Sequence, residues 1–209
     1  NLHASLLPDY RGAAPINWVI INGEKITGVS TFFINENIDT GDIIDQRTIK
    51  IDILDSYGDL FHKLKKIGAD LILNTVNNII SRKINLKPQT NTPNLNSANK
   101  LNKENCRIDW SMNTSNIYNK IRGLSPFPGA NCFLVHGNET LKIIIYSSRI
   151  EIETHQLDSG LIIIEKKQIK IATKDGFLIP QEIKVQGKKS MKISDLMNGF
   201  KFDLSSKFI

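Results

Sequence analysis

The distribution of hydrophobic residues in the first half of the chain predicts two strands followed by a long helix. Residues 26–34 and 43–51 are rich in β-branched side chains, which is typical of strands. Apolar residues then recur at nearly helical spacing, at Leu60, Leu64, Ile67, Leu71 and Val76. This period predicts one amphipathic helix over Tyr57–Ile80, with Ser56 as its N-cap and its apolar face against a sheet.

The second half of the chain changes to short strands separated by turn residues. We predict strands at residues 130–135, 141–147, 161–165, 168–173 and 177–185. A helix at 115–122 precedes these strands, and a brief helix at 194–198, capped by Ser194 and ended by Gly199, follows them. Several short strands at regular spacing are typical of a small open β-barrel of the OB type.

A polar segment separates the two halves. Residues 85–105 are rich in Asn, Thr, Pro and Lys and contain few apolar side chains, so they cannot support a core of their own. We therefore predict three parts: an α/β segment at residues 1–84, a linker at 85–105 and a β-barrel domain at 106–209.

Composition excludes several classes of protein. The 209 residues are 40% hydrophobic and 23% charged, which allows one or two domains with a sizeable core. No run approaches the roughly 18 apolar residues of a membrane span, and no signal-peptide pattern opens the chain. Cys106 and Cys132 lack the spacing of zinc ligands or of a disulfide framework. We expect a cytoplasmic monomer that binds neither a metal nor a membrane.

The positive charge of the chain is concentrated in its second half. Residues 1–95 carry 10 Lys and Arg against 10 Asp and Glu, whereas residues 96–209 carry 17 against 11. This asymmetry predicts an anionic partner for the second half. The alternative is a lysine-rich surface that is merely solvated.

Three polar residues near the start of the chain, Asn1, His3 and Asp39, suggest acyl-type transfer. Such a reaction requires a group that polarises a carbonyl, a group that moves a proton and a group that orients the proton carrier. An amide, an imidazole and a carboxylate can fill these three roles. Each residue alone also has an ordinary structural explanation, as a turn former, a hydrogen-bonded imidazole and a loop-tip carboxylate, respectively.

Taken together, the motifs are more specific than the single residues. The opening stretch NLHASLLPDYRGAAPI, residues 1–16, followed by DTGD at residues 39–42, resembles the folate-dependent formyltransferases, and among them the methionyl-tRNA formyltransferases. The resemblance continues in IDWS at 108–111, IRGLSPFPGA at 121–130 and GKKSM at 187–191. It therefore spans nearly the whole chain. The opening motif indicates the formyl donor, and the second domain indicates the acceptor.

The resemblance implies a fold and a set of roles for the first part of the chain. Residues 1–84 would be the C-terminal half of a Rossmann-like catalytic domain. Asn1 would donate a hydrogen bond from its side-chain amide to the formyl oxygen, and His3 and Asp39 would form the pair that transfers protons. The donor, 10-formyltetrahydrofolate, would be contacted by Ser5, Leu6, Leu7 and Pro8.

The resemblance also implies an acceptor, the α-amine of methionine esterified to initiator tRNA, in translation initiation. A small barrel with excess positive charge is a plausible platform for a phosphate backbone. We therefore predict tRNA contacts from the basic residues of the linker and barrel, namely Lys100, Lys103, Arg122, Lys188, Lys189 and Lys192.

The resemblance further implies roughly 100 preceding residues of βαβ structure, so we expect this chain alone to be inactive. Two other functions stay open from the sequence. One is formyl transfer to an amino sugar or another small amine, and the other is a non-catalytic RNA-binding module that keeps only the scaffold. Binding of tRNA should weaken steeply with salt, whereas binding of a small acceptor should not.

Overall fold

The computed structural model of the chain describes residues 1–90, 93–202 and 205–209. Its contacts divide the chain into a first unit, Asn1–Leu101, and a second unit, Asn102–Ile209. The first unit contains, in chain order, β1 (Leu2–His3), β2 (Arg11–Gly12), α1 (Pro15–Ile21), β3 (Ile26–Phe32), β4 (Ile43–Lys50), α2 (Tyr57–Ile80) and β5 (Ser97–Ala98).

An antiparallel sheet in the order β1-β3-β4 forms the centre of the first unit. A second, two-stranded sheet joins β2 to β5 in parallel. Helix α2 packs on β3 and β4 and also contacts α1. The core between these elements includes Val19, Ile20, Val29, Leu60, Leu64 and Leu71.

The amphipathic pattern of α2 is confirmed, with one exception. Leu60, Leu64 and Leu71 are buried at helical spacing, but Val76 is 45% exposed. The neighbouring Thr75 is buried instead, and its hydroxyl lies 2.9 Å from the hydroxyl of Thr31 on β3. A polar pair therefore continues the buried face of the helix where an apolar residue was predicted.

The N-cap of α2 is a capping box formed by Ser56 and Asp59. The Ser56 hydroxyl accepts a hydrogen bond from the Asp59 backbone N–H, and the Asp59 carboxylate accepts one from the Ser56 backbone N–H. The Ser56 hydroxyl also donates a hydrogen bond to the Asp59 carboxylate. This bond, and after it the bond from the Ser56 backbone N–H, holds the pKa of Asp59 below its ordinary value of 3.8.

Replacing Ser56 by alanine should lower the free energy of unfolding by about 1 kcal/mol at neutral pH, because the helix loses its side-chain cap. A carboxyl with a depressed pKa stabilises the fold above its ordinary pKa and loses this contribution as the pH falls. The difference between wild type and Ser56→Ala should therefore shrink below about pH 3.8.

Urea unfolding at several pH values measures this difference. Ser81→Ala is the matched control, because Ser81 caps the other end of α2 through its backbone N–H. A cost at Ser56 that is no larger than the cost at Ser81 would contradict the capping role.

The second unit contains, in chain order, α3 (Thr114–Gly123), β6 (Ala130–His136), β7 (Glu139–Ile152), β8 (Ile162–Glu165), β9 (Gln168–Ala172), β10 (Gly176–Val185), β11 (Met191–Lys192), α4 (Ile193–Gly199) and β12 (Lys207–Phe208). Its strands form one curled antiparallel sheet in the order β12-β6-β7-β10-β9-β8, with β11 on β10. A bridge between Leu161 and Lys207 links the two ends of this order. The core includes Ile117, Ile121, Leu134, Ile143, Ile145, Ile169, Ile171 and Phe208.

The predicted strands of the second unit are present, and the prediction for the last helix needs correction. Ser194 is not the N-cap of α4, since the helix begins at Ile193 after Lys192 and has no side-chain cap. The Ser194 hydroxyl lies instead 3.4 Å from Asp195 Oδ1, within the first turn. Gly199 is the last residue of the helix, as its stop signal indicated.

Much of the segment predicted as a linker packs against the first unit. Ile43 and Lys87 form an antiparallel bridge, and β5 pairs with β2. Residues up to Leu101 group with the first unit, and residues from Asn102 onward group with the second. Residues 91 and 92 of this segment, and residues 203 and 204 of the predicted barrel domain, lie outside the described residues.

Candidate active site

His3 sits at the end of β1, where the strand pairs with β3 through the partners His3 and Ser30. Its side chain is buried, with 8% of its surface exposed. The ring Nε2 lies 2.9 Å from the backbone carbonyl oxygen of Tyr10. Because a carbonyl oxygen only accepts hydrogen bonds, Nε2 carries a proton and donates it to this carbonyl.

The other ring nitrogen of His3 faces Asp39. The distance from Nδ1 to Asp39 Oδ2 is 3.5 Å, and the Asp39 side chain is 15% exposed. This separation is longer than an ordinary N–H···O hydrogen bond. The same carboxylate oxygen accepts a hydrogen bond from the Gly12 backbone N–H at 3.0 Å. A protonated imidazole would have one N–H for Tyr10 and one for Asp39.

Both residues that contact the His3 ring have left-handed backbone conformations. Tyr10 has φ of 59° and Asp39 has φ of 55°. Aspartate tolerates this region, but for tyrosine it is costly and is maintained only when the surroundings impose it. Such conformations concentrate at functional sites.

Tyr10 is held by hydrogen bonds at its side-chain hydroxyl and at its backbone N–H. Its hydroxyl donates to Glu24 Oε1 at 2.7 Å and accepts from Asn22 Nδ2 at 3.0 Å, while its backbone N–H donates to the Asn96 carbonyl. Burial and then the hydrogen bond to Glu24 raise the pKa of Tyr10 well above its ordinary value. The phenol therefore stays neutral. Its hydrogen bonds hold Tyr10 in the position in which its backbone carbonyl accepts the hydrogen bond from His3 Nε2.

Gly12 supplies the backbone N–H for Asp39 at a position where only glycine fits. Its φ is +123°, and a Cβ there would lie 2.6 Å from the carbonyl oxygen of Ala98 on β5. The close pairing of β2 and β5 thus aims the Gly12 N–H at the Asp39 carboxylate.

The predicted folate-contact residues form a loop between β1 and β2 that the central sheet holds in place. The Ser30 hydroxyl donates to the carbonyl of Ser5 and accepts from the N–H of Leu7. Gln46 on β4 donates to the Leu7 carbonyl and to Ser30. Ser5 and Leu7 are buried, whereas Leu6 and Pro8 are partly exposed. Contact with a ligand is therefore open mainly to Leu6 and Pro8.

Asn1 lies next to β1 and is exposed. Its side-chain Oδ1 accepts a hydrogen bond from the Leu2 backbone N–H at 2.9 Å. Within the described part of the chain, the structure gives no hydrogen bond between this side chain and His3 or Asp39. The structure thus brings together two of the three predicted polar groups, His3 and Asp39.

The predicted tRNA contacts divide into exposed lysines and one buried arginine. The five lysines, Lys100, Lys103, Lys188, Lys189 and Lys192, are all exposed. Arg122 is only 6% exposed, and its Nε donates to Asn119 Oδ1 while its guanidinium lies over the Tyr118 ring. Arg122 is therefore far less accessible to a phosphate than the five lysines, and its contact with tRNA stays a prediction.

Two further basic residues line a groove with Lys192 in the second unit, and sequence reasoning did not single them out. Arg149 lies on β7, and Lys167 lies in the turn between β8 and β9. These residues are far apart in sequence and follow no period, so only the folded sheet places them together.

Neither a metal-binding cluster nor a membrane-spanning helix is present among the residues that the structure describes. These residues contain no group of three or more His, Cys, Asp or Glu arranged to hold a metal ion. None of the described helices is both long enough and apolar enough to cross a membrane.

Family models match both units of the chain. A model described as "Formyl transferase" matches residues 1–76, and a model described as "Formyl transferase, C-terminal domain" matches residues 100–201. The chain belongs to the formyl transferase family.

Within that family, the chain groups with the methionyl-tRNA formyltransferases. It is 46% identical to the enzyme of this name from Flavobacterium johnsoniae over 99% of its length and 66% of that relative's length. It is 44% identical to the one from Flavobacterium psychrophilum, covering 97% of this chain and 64% of the relative. The chain thus spans slightly less than two thirds of these relatives.

Solved structures share the fold. An N-formyltransferase from Helicobacter canadensis, in complex with folinic acid and dTDP-3-aminofucose, matches with a TM-score of 0.67 and 26% identity, over 86% of this chain and 64% of that chain. HypX from Aquifex aeolicus, in complex with tetrahydrofolic acid, matches with a TM-score of 0.70 and 20% identity, over 97% of this chain and 36% of that chain.

Proposed function

We propose that this chain transfers a formyl group from 10-formyltetrahydrofolate to the α-amine of methionyl initiator tRNA. The observation that carries the proposal is the pairing of His3 with Asp39 in a chain 46% identical to a methionyl-tRNA formyltransferase. An imidazole backed by a carboxylate is a general acid–base pair, and amine formylation requires one proton removed and one supplied.

In the proposed reaction the amine attacks the formyl carbon, and a new C–N bond forms as the carbonyl oxygen gains negative charge. The side-chain amide of Asn1 stabilises this oxygen more strongly in the transition state than in the ground state. When His3 is neutral with its proton on Nε2, its Nδ1 has a free lone pair on the Asp39 side. This nitrogen accepts the amine proton, and Asp39 then stabilises the resulting imidazolium.

The same proton completes the reaction. As the bond between the formyl carbon and the folate nitrogen breaks, His3 returns the proton to that nitrogen, and tetrahydrofolate leaves. No net proton is gained or lost by the site. The role of Tyr10 in this scheme is to keep Nε2 occupied, so that proton transfer takes place only on the Asp39 side.

We propose that the loop holding Ser5, Leu6, Leu7 and Pro8 forms one wall of the folate site. Leu6 and Pro8 would contact the ligand, while Ser5 and Leu7 would hold the loop in shape. The Helicobacter canadensis relative, which has folinic acid in its complex, supports a folate ligand. The proposal needs no metal, since His3 and Asp39 supply the proton transfers.

The finer architecture belongs to the same proposal. The first unit would complete a Rossmann-like domain in the whole enzyme, although the described central sheet is antiparallel. The curled sheet of the second unit would be an open, OB-like barrel. Cys106 and Cys132 are buried free thiols, which suits the reducing cytoplasm.

For the acceptor, we propose that the exposed lysines bind the phosphate backbone of tRNA. Replacing both Lys188 and Lys189 by alanine should weaken tRNA binding and reduce the slope of log K against log salt by about one for each lost phosphate contact. Binding isotherms at several salt concentrations measure this slope.

A matched control is available in the first unit, where Lys65 and Lys66 are adjacent and exposed on α2. Alanine at both of these positions removes the same charge and should leave the slope unchanged. An equal change in the two double variants would mean that only net charge matters, and would contradict a site at Lys188 and Lys189.

The reaction itself is tested by formylation of charged initiator tRNA and, in parallel, of a nucleotide-linked amino sugar. The assay uses this chain alone and fused to the part of the Flavobacterium johnsoniae relative that it does not match. We expect formyl-methionyl-tRNA from the fused form and no product from this chain alone. Formylation of the sugar alone would favour the small-amine alternative, which the Helicobacter canadensis structure keeps open. Binding of tRNA without formyl transfer to either acceptor would favour a non-catalytic RNA-binding module.

A further inference from the structure

Gln89 contacts the candidate active site from a segment that lies between the two family-model matches, residues 1–76 and 100–201. The residues around it, 85–88 and 90, are exposed, but Gln89 itself is partly buried. Its side-chain amide makes four hydrogen bonds, two to Arg11 and two to the loop that carries Asp39.

The four contacts fix the orientation of the Gln89 amide. Arg11 Nε and Nη2 donate to Gln89 Oε1 at 3.1 and 2.8 Å. Gln89 Nε2 donates to the backbone carbonyls of Asp39 at 3.0 Å and Gly41 at 2.7 Å. A guanidinium only donates and a carbonyl only accepts, so the amide fits these partners in one orientation. Asparagine has the same groups on a side chain one methylene shorter, and glutamate has no donor.

The backbone places Gln89 at this position. Ile43 and Lys87 exchange two hydrogen bonds in an antiparallel bridge, each at 2.9 Å. In an antiparallel pair the two chains run in opposite directions, so Gln89, two residues after Lys87, lies opposite Gly41, two residues before Ile43. This isolated bridge, rather than a regular strand, brings the Gln89 side chain to the carbonyls of the Asp39 loop.

Hydrogen bonds from Gln89 and from the Gly12 N–H connect the Asp39 end of this loop to the rest of the first unit, and the Phe33 N–H donates to the Asp42 carbonyl at the base of the loop. Residues 33–38 are exposed, and the hydrogen bonds of Asn35 with Thr40 and Asn37 remain within the loop. Asp39 itself has a left-handed backbone. The Gln89 amide N–H donates to the Asp39 carbonyl, and the Gln89 amide oxygen accepts from Arg11. Arg11 is the residue before Gly12, and the Gly12 N–H donates to the Asp39 carboxylate.

We infer that Gln89 is a positioning residue, which holds the Asp39 carboxylate against the Gly12 N–H and the His3 ring by bridging Arg11 to the Asp39 loop. Gln89 acts through Asp39 and touches no reacting atom. Its importance for turnover rests on the function proposed above, but its positioning of the loop can be measured separately.

The decisive variant is Gln89→Glu, which keeps the acceptor for Arg11 and removes both donors to the loop. We expect amide hydrogen exchange at Gly12 to accelerate about tenfold or more, because its acceptor on Asp39 is no longer held. Exchange in the core of α2 should stay unchanged, which reports that the variant is folded. Gln89→Leu should act like Gln89→Glu. The control is Gln156→Glu, at an exposed glutamine of the second unit.

In the formylation assay, Gln89→Glu should lower kcat by about 10- to 100-fold, which is typical of a displaced catalytic group, with little change in KM for the folate donor. Unchanged Gly12 exchange in a folded Gln89→Glu protein would overturn the inference. Faster Gly12 exchange, in a protein whose wild type formylates no acceptor even in the fused form, would support the positioning role and refute the proposed function.

Discussion

Replacing Asp39 by asparagine is expected to lower the rate of formyl transfer by about 10²- to 10⁴-fold, which is the usual contribution of a general acid–base group. Asparagine preserves an oxygen that can accept from the Gly12 N–H, so the loop keeps this contact. It loses the negative charge that stabilises protonated His3. The loss should therefore appear in kcat, measured with saturating donor and charged tRNA.

Glu36→Gln is the matched control for Asp39→Asn, because it removes one negative charge from an exposed position in the same loop. Its turnover should stay close to that of the wild type. Equal losses in the two variants would attribute the effect to the charge of the loop and would contradict a specific role for Asp39.

Replacing Leu71 by alanine should reduce the free energy of unfolding of the first unit by about 2–5 kcal/mol. Leu71 is fully buried in the core where α2 packs on the central sheet. Truncation removes buried methyl groups and leaves a cavity that the surrounding helix and strands fill only in part. Urea unfolding followed by circular dichroism measures this change.

Leu73 provides the comparison on the same helix, since it is 62% exposed and has the same helix propensity as Leu71. Leu73→Ala should change the free energy of unfolding by no more than about 0.5 kcal/mol. Similar costs at the two positions would mean that α2 does not bury the face identified here.

The long helix could be predicted to the residue because its signals are local. Ser56 and Asp59 form the cap, and the spacing of the leucines marks the buried face. The strands β2, β5, β11 and β12 were not predicted, since each has two residues and a period of two cannot be recognised over that length.

The polar segment after α2 shows a different limit. Its composition correctly indicates that it has no core, but Tyr10, Ala14 and Ile43 bind it through backbone hydrogen bonds to Asn96, Ala98 and Lys87. Backbone pairing leaves no side-chain pattern, so composition alone suggested a linker. The position of Gln89 could not be inferred for the same reason, because the backbone bridge between Ile43 and Lys87 sets it.

The burial of Arg122 could have been foreseen. Thr114, Ile117, Ile121 and Arg122 follow the spacing i, i+3, i+7 and i+8 of one helix face, and all four are buried. The proximity of His3 and Asp39 has no such local signal, because 36 residues separate them in sequence. Only the resemblance of the motifs indicated that they meet.

A double-mutant cycle on formyl transfer tests most directly whether His3 and Asp39 act as one unit. It compares His3→Ala, Asp39→Ala and the double variant, in the form of the protein that is active in the tRNA assay. If the pair shares one proton-transfer function, the double variant should be about as slow as the slower single variant. Losses that multiply would show that the two residues work independently, and would contradict the proposed mechanism.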